Sequence, residues 1–499
     1  MIKEPGHPPL DGLRSDTPPN APPNAPLHRQ ITDGLKQRIA SGALGVGARL
    51  PSSRDLAAQL GVSRATVELA YGNLAAEGYV ARRPAAGTHV LPLRAQARAA
   101  LARTTVKPVM PGLASEPAQP PKLFQMGLPA LDEFPRKLWS RLAARHARAL
   151  AVSKMVYQEP GGFAPLRRAI ANHLAMGRGL ACTEKQVFVT SGFLGALSLA
   201  SRAVLRAGDK VLTEDPGYPP AREAIAFAGG IPVPVPVDGL GMDFAAGVRS
   251  MPDARAVLIT PVAQFPLGGT LSPDRREQML AWASASDAWV LQDDYEENLN
   301  CADRTQDLGA APESMGRVLR LGSFSNLLFP GFRLGYLVAP ESLVPRLEYA
   351  AALQPMNQSL LDQMVVYDFI TQGHMIHHLA RMKTLYAERR AALCQALDKA
   401  FGAFGHAQGC GMHLLLRLPR TCDDVALAEA ARAHGLAVNA LSPMGVVANT
   451  GPGLLLGYTN VLPRDAMDAA LRLKSVLQES GASPAAPAAA DSRMAAAHS

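Results

Sequence analysis

Apolar positions recur at helical spacing from residue 27 onward. In LHRQITDGLKQRIASG, Ile31, Leu35 and Ile39 lie four apart and share one face, which predicts a helix. The next stretch, LPSSRDLAAQLGVSRATVELAYGNLAAEGYV, predicts two more helices around a tight turn at Gly61-Val62. Leu56 and Leu60 face inward on the first, and Val67, Ala70, Tyr71 and Leu74 on the second. Ser52 or Ser53 supplies the cap of the first and Ser63 that of the second. GYVARRPAAGTHVL then alternates as a two-stranded wing with Gly87 in its turn. From about residue 123 the pattern changes. Short apolar runs of strand length (VFVT, VLTED, AVLIT, AWVLQDD, RVLRLGS) alternate with helical patterns, which predicts an α/β domain.

The polar gaps between these blocks divide the chain. Residues 1–26 are a Pro-rich, disordered lead without the apolar core of a signal peptide. Residues 27–92 form the first domain, 93–122 a linker, 123–480 the α/β domain (a large part to about 345 and a smaller part from about 346), and 481–499 a disordered Ala/Pro tail. A chain of 499 residues exceeds one core, and no run of about 18 apolar residues suggests a membrane span. Five scattered cysteines without a CxxC pair argue against a disulfide framework or zinc site and fit a reducing cytoplasm. No metal site is expected.

Charge sharpens the reading of the first domain. The whole chain carries +8, and Leu27 to Arg94 holds nine basic against four acidic residues, a net of +5. Three helices and a basic wing form a winged helix-turn-helix. Its second helix presents Ser63, Arg64 and Thr66 where such motifs meet the major groove, so double-stranded DNA is the expected partner.

In the α/β domain the polar groups gather at strand ends, where open α/β sheets bind ligands. Ser191-Gly192 sits where a strand enters a helix, an anion site by construction. Tyr218 follows a Pro-Gly corner, and AWVLQDDYEENL ends in Asp293, Asp294 and Tyr295. GSFSNLLFPGFRLGY joins a strand to its return through Ser323, Ser325, Asn326 and Arg333.

RLPSSRDLAAQLGVSRATVELAYGNLAAEGYVARRPAAGTHV resembles the DNA-binding domain of GntR-type regulators. That resemblance implies DNA contacts at Arg49, Arg54, Ser63, Arg64, Thr66 and Gly87, and binding as a dimer to two half-sites. Residues from about Phe124 to Leu477 resemble the fold type I aminotransferases, which bind pyridoxal 5′-phosphate (PLP); GLPALDEFPRKLW, YQEPGGFAPLRRAIANHL and GMHLLLRLP match as well. The combination is that of the MocR subfamily. It implies a mixed, mostly parallel sheet and a homodimer. It also implies that Asp293 pairs with the pyridine nitrogen, Tyr295 lies near the ring oxygen and Tyr218 stacks on the ring. Ser191, Gly192, Ser323, Ser325 and Arg333 would hold the phosphate.

One position departs decisively. The family's loop carries Ser-Lys, and this one carries Ser325-Asn326. The lysine forms the Schiff base and moves the proton, whereas an amide nitrogen is delocalised and non-basic. Lys210 and Lys383 lie outside the site motifs, and Lys154, before the YQEP loop, is a remote candidate for the amine. Leu194-Gly195, Val262-Ala263 and Gln292 also replace the usual polar residues, and GLLLGY lacks an arginine for a substrate carboxylate. The expectation is a cytoplasmic DNA-binding transcriptional regulator whose aminotransferase-like domain senses an effector and dimerises. PLP, if bound, would be held non-covalently; a small amino-acid-like effector, or a domain serving dimerisation alone, stays open. The alternative is a PLP-dependent aminotransferase with an appended DNA-binding domain.

Overall fold

The computed structural model describes residues 26–83, 87–91, 120–294, 316–353, 359–402, 411–448 and 450–481. Two compact units divide at Ser115.

The first unit runs α1 (Leu27–Ser41), α2 (Ser53–Leu60), α3 (Arg64–Ala76), β1 (Val80–Arg83) and β2 (Gly87–Val90). Ser52, rather than Ser53, caps α2 by accepting from Asp55 N at 3.1 Å, and Ser63 caps α3 by accepting from Thr66 N at 3.1 Å. Gly61 ends α2 with φ +62°, the left-handed geometry a short helix-to-helix turn requires. Ile31, Leu35, Ile39, Leu56, Val67, Ala70, Tyr71 and Leu74 form one core with Val80 and Val90 of the wing, while Leu60 packs at its margin. The Tyr71 hydroxyl donates to Pro51 O at 2.9 Å, tying α3 to the entry of α2. β1 and β2 pair antiparallel, Arg83 opposite Gly87.

The second unit begins with α4 (Arg136–Arg148) and α5 (Ala164–Arg178) and then builds its main sheet from β3 (Val187–Thr190), β4 (Lys210–Asp215), β5 (Ile231–Asp238), β6 (Gly241–Met242), β7 (Ala256–Ile259), β8 (Trp289–Asp293), β9 (Val318–Ser323) and β10 (Gly335–Val338). The spatial order is β3-β10-β9-β8-β7-β4-β5-β6. β9, β8, β7, β4 and β5 run parallel; β10 is antiparallel to both neighbours, and β6 to β5. The sheet is therefore mixed and mostly parallel. The crossovers use α6 (Gly192–Val204), α7 (Pro219–Phe227), α8 (Phe244–Ser250) and α9 (Pro273–Ala285). Both faces are covered, as a parallel sheet demands. On β3, Val187 and Val189 enter one core and Phe188 the other, and on β10 Tyr336 and Val338 oppose Leu337 in the same way.

The chain continues through α10 (Val344–Leu353), α11 (Leu360–Thr371) and α12 (His374–Phe401) into a three-stranded antiparallel sheet, β11-β13-β12, with β11 (His413–Arg417), β12 (Asn439–Ala440), β13 (Gly453–Gly457) and the helices α13 (Asp424–Ala433) and α14 (Ala466–Glu479). One of the contacts that fasten this smaller lobe to the main sheet is a backbone clamp. The buried carboxylate of Asp215, at the end of β4, accepts the backbone N–H groups of Val446, Val447 and Ala448 at 2.7, 2.8 and 2.7 Å.

Candidate functional site

The parallel strands end together, and the predicted groups lie on those ends. Thr190 closes β3; its hydroxyl donates to Gly192 O at 3.1 Å and fixes the bend into α6. Gly192 starts that helix with φ +74°. A Cβ there would stand 4.0 Å from Ser323 Oγ, so the serine hydroxyl at the end of β9 looks directly onto the start of α6. Ser323 Oγ in turn accepts the N–H of Ser325 at 3.1 Å. Gly335 is opposite Ser323 in register, and a Cβ on it would meet Gly192 Cα at 2.8 Å and Gly322 O at 2.6 Å. Three backbones thus converge at van der Waals distance around a helix N-terminus edged with hydroxyls. Ser191, half-buried, holds its Oγ against Gly195, where a Cβ would lie 2.4 Å away. Gly195 in place of a larger residue leaves that serine its room.

Arg333 lies in the same loop, beyond Asn326. It follows a short turn, Pro330–Phe332, and adopts φ +51°, a left-handed conformation a branch-free cation rarely takes without cause. It is exposed and within electrostatic reach of Tyr218, as is Asp293 at the end of β8. Burial pushes the Tyr218 phenol up, Asp293 pushes it further, and Arg333 draws it back. Its ring is about a third exposed, at 36 %, with Phe265 edge-on at 5.9 Å and Phe193 at 6.2 Å. The structure therefore joins Gly192, Ser323 and Ser325 by contact and Tyr218, Asp293 and Arg333 by field. Tyr295 lies outside the described residues.

Asn326 is half-buried in the loop after Ser325. None of the three lysines weighed from the sequence takes its place. Lys210 begins β4, at the opposite end of the strand from the cradle, and pairs with Asp253 at 2.8 Å. Lys154 stands in an exposed turn over the Phe163 ring, and Lys383 is exposed on α12. Leu455, on β13 in the GLLLGY stretch, packs with Leu415 and Leu441 beside Met126, Phe265, Leu267 and Met444.

Two groups here escaped sequence reading. Glu214 is buried, accepts Thr260 N at 3.1 Å through Oε2, and leaves Oε1 without a hydrogen-bond partner. Burial pushes its carboxyl up to about 8. His413, whose Nε2 lies 2.9 Å from Pro266 O, sits against Phe265 and is pushed down by burial, so its imidazole is neutral at pH 7. Next to a strand-end tyrosine, adjacent Glu-Asp and Met-His pairs were the available signals, but neither pattern says which side chain is buried.

In the winged unit, Ser63, Arg64 and Arg54 are exposed around the start of α3, with Thr66 half-buried and its hydroxyl 2.8 Å from Ser63 Oγ. Arg49 lies over the wing turn. A Cβ on Gly87, which has φ +89°, would meet Arg49 Nε at 2.9 Å, so glycine is required there twice over. The six residues expected at DNA are thus on one unit: Arg54 on α2, Ser63, Arg64 and Thr66 at the start of α3, and Arg49 and Gly87 at the wing.

The comparisons follow the same division. Residues 27–90 match the bacterial regulatory proteins of the gntR family, and residues 136–455 match aminotransferase class I and II. A probable rhizopine catabolism regulatory protein, MocR, of Rhizobium meliloti is 33% identical over 92% of this chain and 96% of its own length. The HTH-type pyridoxine biosynthesis transcriptional regulator PdxR of Corynebacterium glutamicum is 31% identical over 88% and 93%. Among solved structures, the kynurenine aminotransferase of Pyrococcus horikoshii superposes with a TM-score of 0.64 at 26% identity, covering 71% of this chain and 90% of that one.

Proposed function

The chain belongs to the MocR-type regulators of the gntR family, which join a helix-turn-helix domain to an aminotransferase domain, and from that premise we propose that its aminotransferase-like domain is a ligand-sensing and dimerisation domain that holds PLP, when it holds it, without a covalent bond. The observation that carries this reading is Asn326 in an otherwise furnished cradle.

The residues fit the cofactor's two charged ends. The N-terminus of α6, the hydroxyls of Ser191, Ser323 and Ser325 and the guanidinium of Arg333 would bind a phosphate, and the open φ of Gly192 brings backbone close to it. Asp293 would pair with a protonated ring nitrogen, and Tyr218 would cover the ring. When bound, PLP supplies an electron-poor ring and an aldehyde for amine chemistry. The Asn326 amide can hydrogen-bond to a ligand, but it cannot attack the aldehyde or accept a proton at its nitrogen. A transaminase needs a base at that point, and Lys210 and Lys383 are held elsewhere. Tyr295 remains part of the proposal from the family pattern.

A homodimer is the expected assembly. An exposed apolar segment, with Val152, Met155, Val156 and Tyr157 at 79, 62, 65 and 104 % exposure, supports one with a second copy as the covering surface. No helix among the described residues is long and apolar enough to cross a membrane, and the kinship to bacterial DNA-binding regulators supports a cytoplasmic site of action.

The test compares the wild-type chain with Asn326→Lys. PLP is expected to raise the melting temperature of both, by an amount equivalent to about 2.7 kcal/mol at 100 times Kd. After borohydride and denaturation, mass spectrometry should find cofactor attached to the lysine variant only. Cofactor covalently retained on the wild type would overturn the non-covalent reading, and no thermal shift in either would leave the domain a scaffold.

A further inference from the structure

The winged unit places an acidic side chain where a DNA-facing surface has least use for one. Glu68 stands on α3, one turn after Arg64. Its Oε2 pairs with Arg82 Nη2 of β1 at 2.5 Å, and its Oε1 lies 3.9 Å from Arg64 Nη2. Arg64 Nε also donates to Ser53 Oγ at 3.4 Å, at the start of α2. Hydrogen bonds from the Ser53 hydroxyl and Arg82 hold the Glu68 carboxyl below the usual carboxylate range. One carboxylate therefore ties together the first helix of the motif, the first turns of the second, and the wing.

Stability does not explain this arrangement. The Glu68, Arg64 and Arg82 side chains are 38, 68 and 42 % exposed, and ion pairs at such exposure contribute about 0–1 kcal/mol. Non-specific affinity argues against it, because a carboxylate beside a polyanion repels it and masks two cations that would otherwise neutralise phosphates. What the carboxylate does accomplish is orientation. A guanidinium is a planar fork, and its recognition of a base edge or phosphate depends on being held at one angle. Unrestrained, two long arginines, one at the start of α3 and one on the wing, reach any nearby phosphate.

Given that this unit is the DNA-binding module, we propose that Glu68 is a positioning residue for duplex recognition: through Arg82 and Arg64 it fixes the two guanidinium groups in one orientation, lowering affinity for arbitrary DNA and raising discrimination among sequences. Sequence inspection marks Arg64 and the wing as candidates and leaves Glu68 as one of four neutralising charges.

The experiment begins by selecting a preferred duplex from a random pool with the full-length wild-type chain. Binding of that duplex and of a scrambled one is then measured over a salt series for wild type, Glu68→Ala and Glu68→Gln, with melting curves confirming that each variant is folded. For Glu68→Ala the scrambled duplex is expected to bind several-fold more tightly, the ratio of selected to scrambled affinity to fall about tenfold, and the slope of log affinity against log salt to steepen by about 0.9 for each phosphate newly contacted. Glu68→Gln retains a carbonyl oxygen that can accept from Arg82, and it should fall between the two. An unchanged ratio and slope in Glu68→Ala overturns the proposal. A loss confined to one base pair at unchanged slope overturns it in favour of Glu68 itself accepting from a cytosine amino group. Failure of the wild type to select any duplex would instead remove the DNA-binding reading, and this proposal with it.

Discussion

Glu214 lies at the end of β4 with only 7 % of its surface exposed, and one carboxyl oxygen finds a single backbone N–H, from Thr260. Desolvation raises it to about 8 from an ordinary 4.5, so the folded state holds the proton that the unfolded chain gives up. The sign follows. Stability from this group is fully present below the unfolded value and is lost as pH rises through about 8. In that window the slope is at most one proton, about 1.4 kcal/mol per pH unit. Glu214→Gln keeps the shape and removes the titration. Melting temperatures measured from pH 5 to 8 should fall for the wild type and stay flatter for the variant; parallel curves would show that the carboxyl is not buried neutral. At this scale the sequence was legible only where residue type alone decides the chemistry. The Asn326 amide, which cannot form an imine whatever surrounds it, is such a case. The adjacent acids Glu214 and Asp215 are not: in TEDPGYP nothing distinguishes the one left with an unsatisfied oxygen from the one enclosed by three N–H groups.

Elements meet closely where β9, β10 and the start of α6 share space. Gly335 has no room for a side chain, because the obstacles are backbone atoms of Gly322 and Gly192 and cannot rotate aside. Gly335→Ala is expected to cost about 3 kcal/mol or more, as misplaced bulk in a fixed site does. Gly316→Ala, where nothing lies within 4 Å, serves as the control and should stay within about 0.5 kcal/mol. Urea midpoints measure both, and equal midpoints would mean that the cradle is not built as described. The elements themselves were readable from periodicity: α1 to α3, the wing, the strands that lead to Ser191 and Tyr218, and the strands that end in Asp293 and Ser323 fall where apolar spacing predicts them. What joins them was not. The clamp of Asp215 on residues 446–448 spans more than 230 positions and is made to backbone N–H groups, which carry no residue signature.

The residues proposed to face DNA lie in one compact unit and those proposed to cradle a cofactor lie in the other. The order of the two, with a basic winged motif first and a strand-end site after it, was legible because charge and period both change along the chain. Whether one site governs the other is a matter of linkage rather than of contact. If PLP changes the affinity for a duplex by some factor, the duplex must change the affinity for PLP by the same factor, whatever path connects the units. A sensing domain predicts a factor distinct from one, with couplings of this kind amounting to about 1–3 kcal/mol, or roughly 5- to 150-fold. The check is a closed cycle. Duplex Kd is measured with and without saturating PLP, and PLP Kd with and without saturating duplex, on the same full-length chain and at one salt concentration, since DNA affinity without its salt is uninterpretable. Equal factors different from one establish coupling. A factor of one on both sides, with PLP bound, would make the second unit a passive partner. Arg333→Ala adds the discriminating arm: on the proposed reading it should weaken PLP binding while leaving duplex affinity in the absence of PLP unchanged, because Arg333 is in the second unit, near Tyr218, and not in the winged unit.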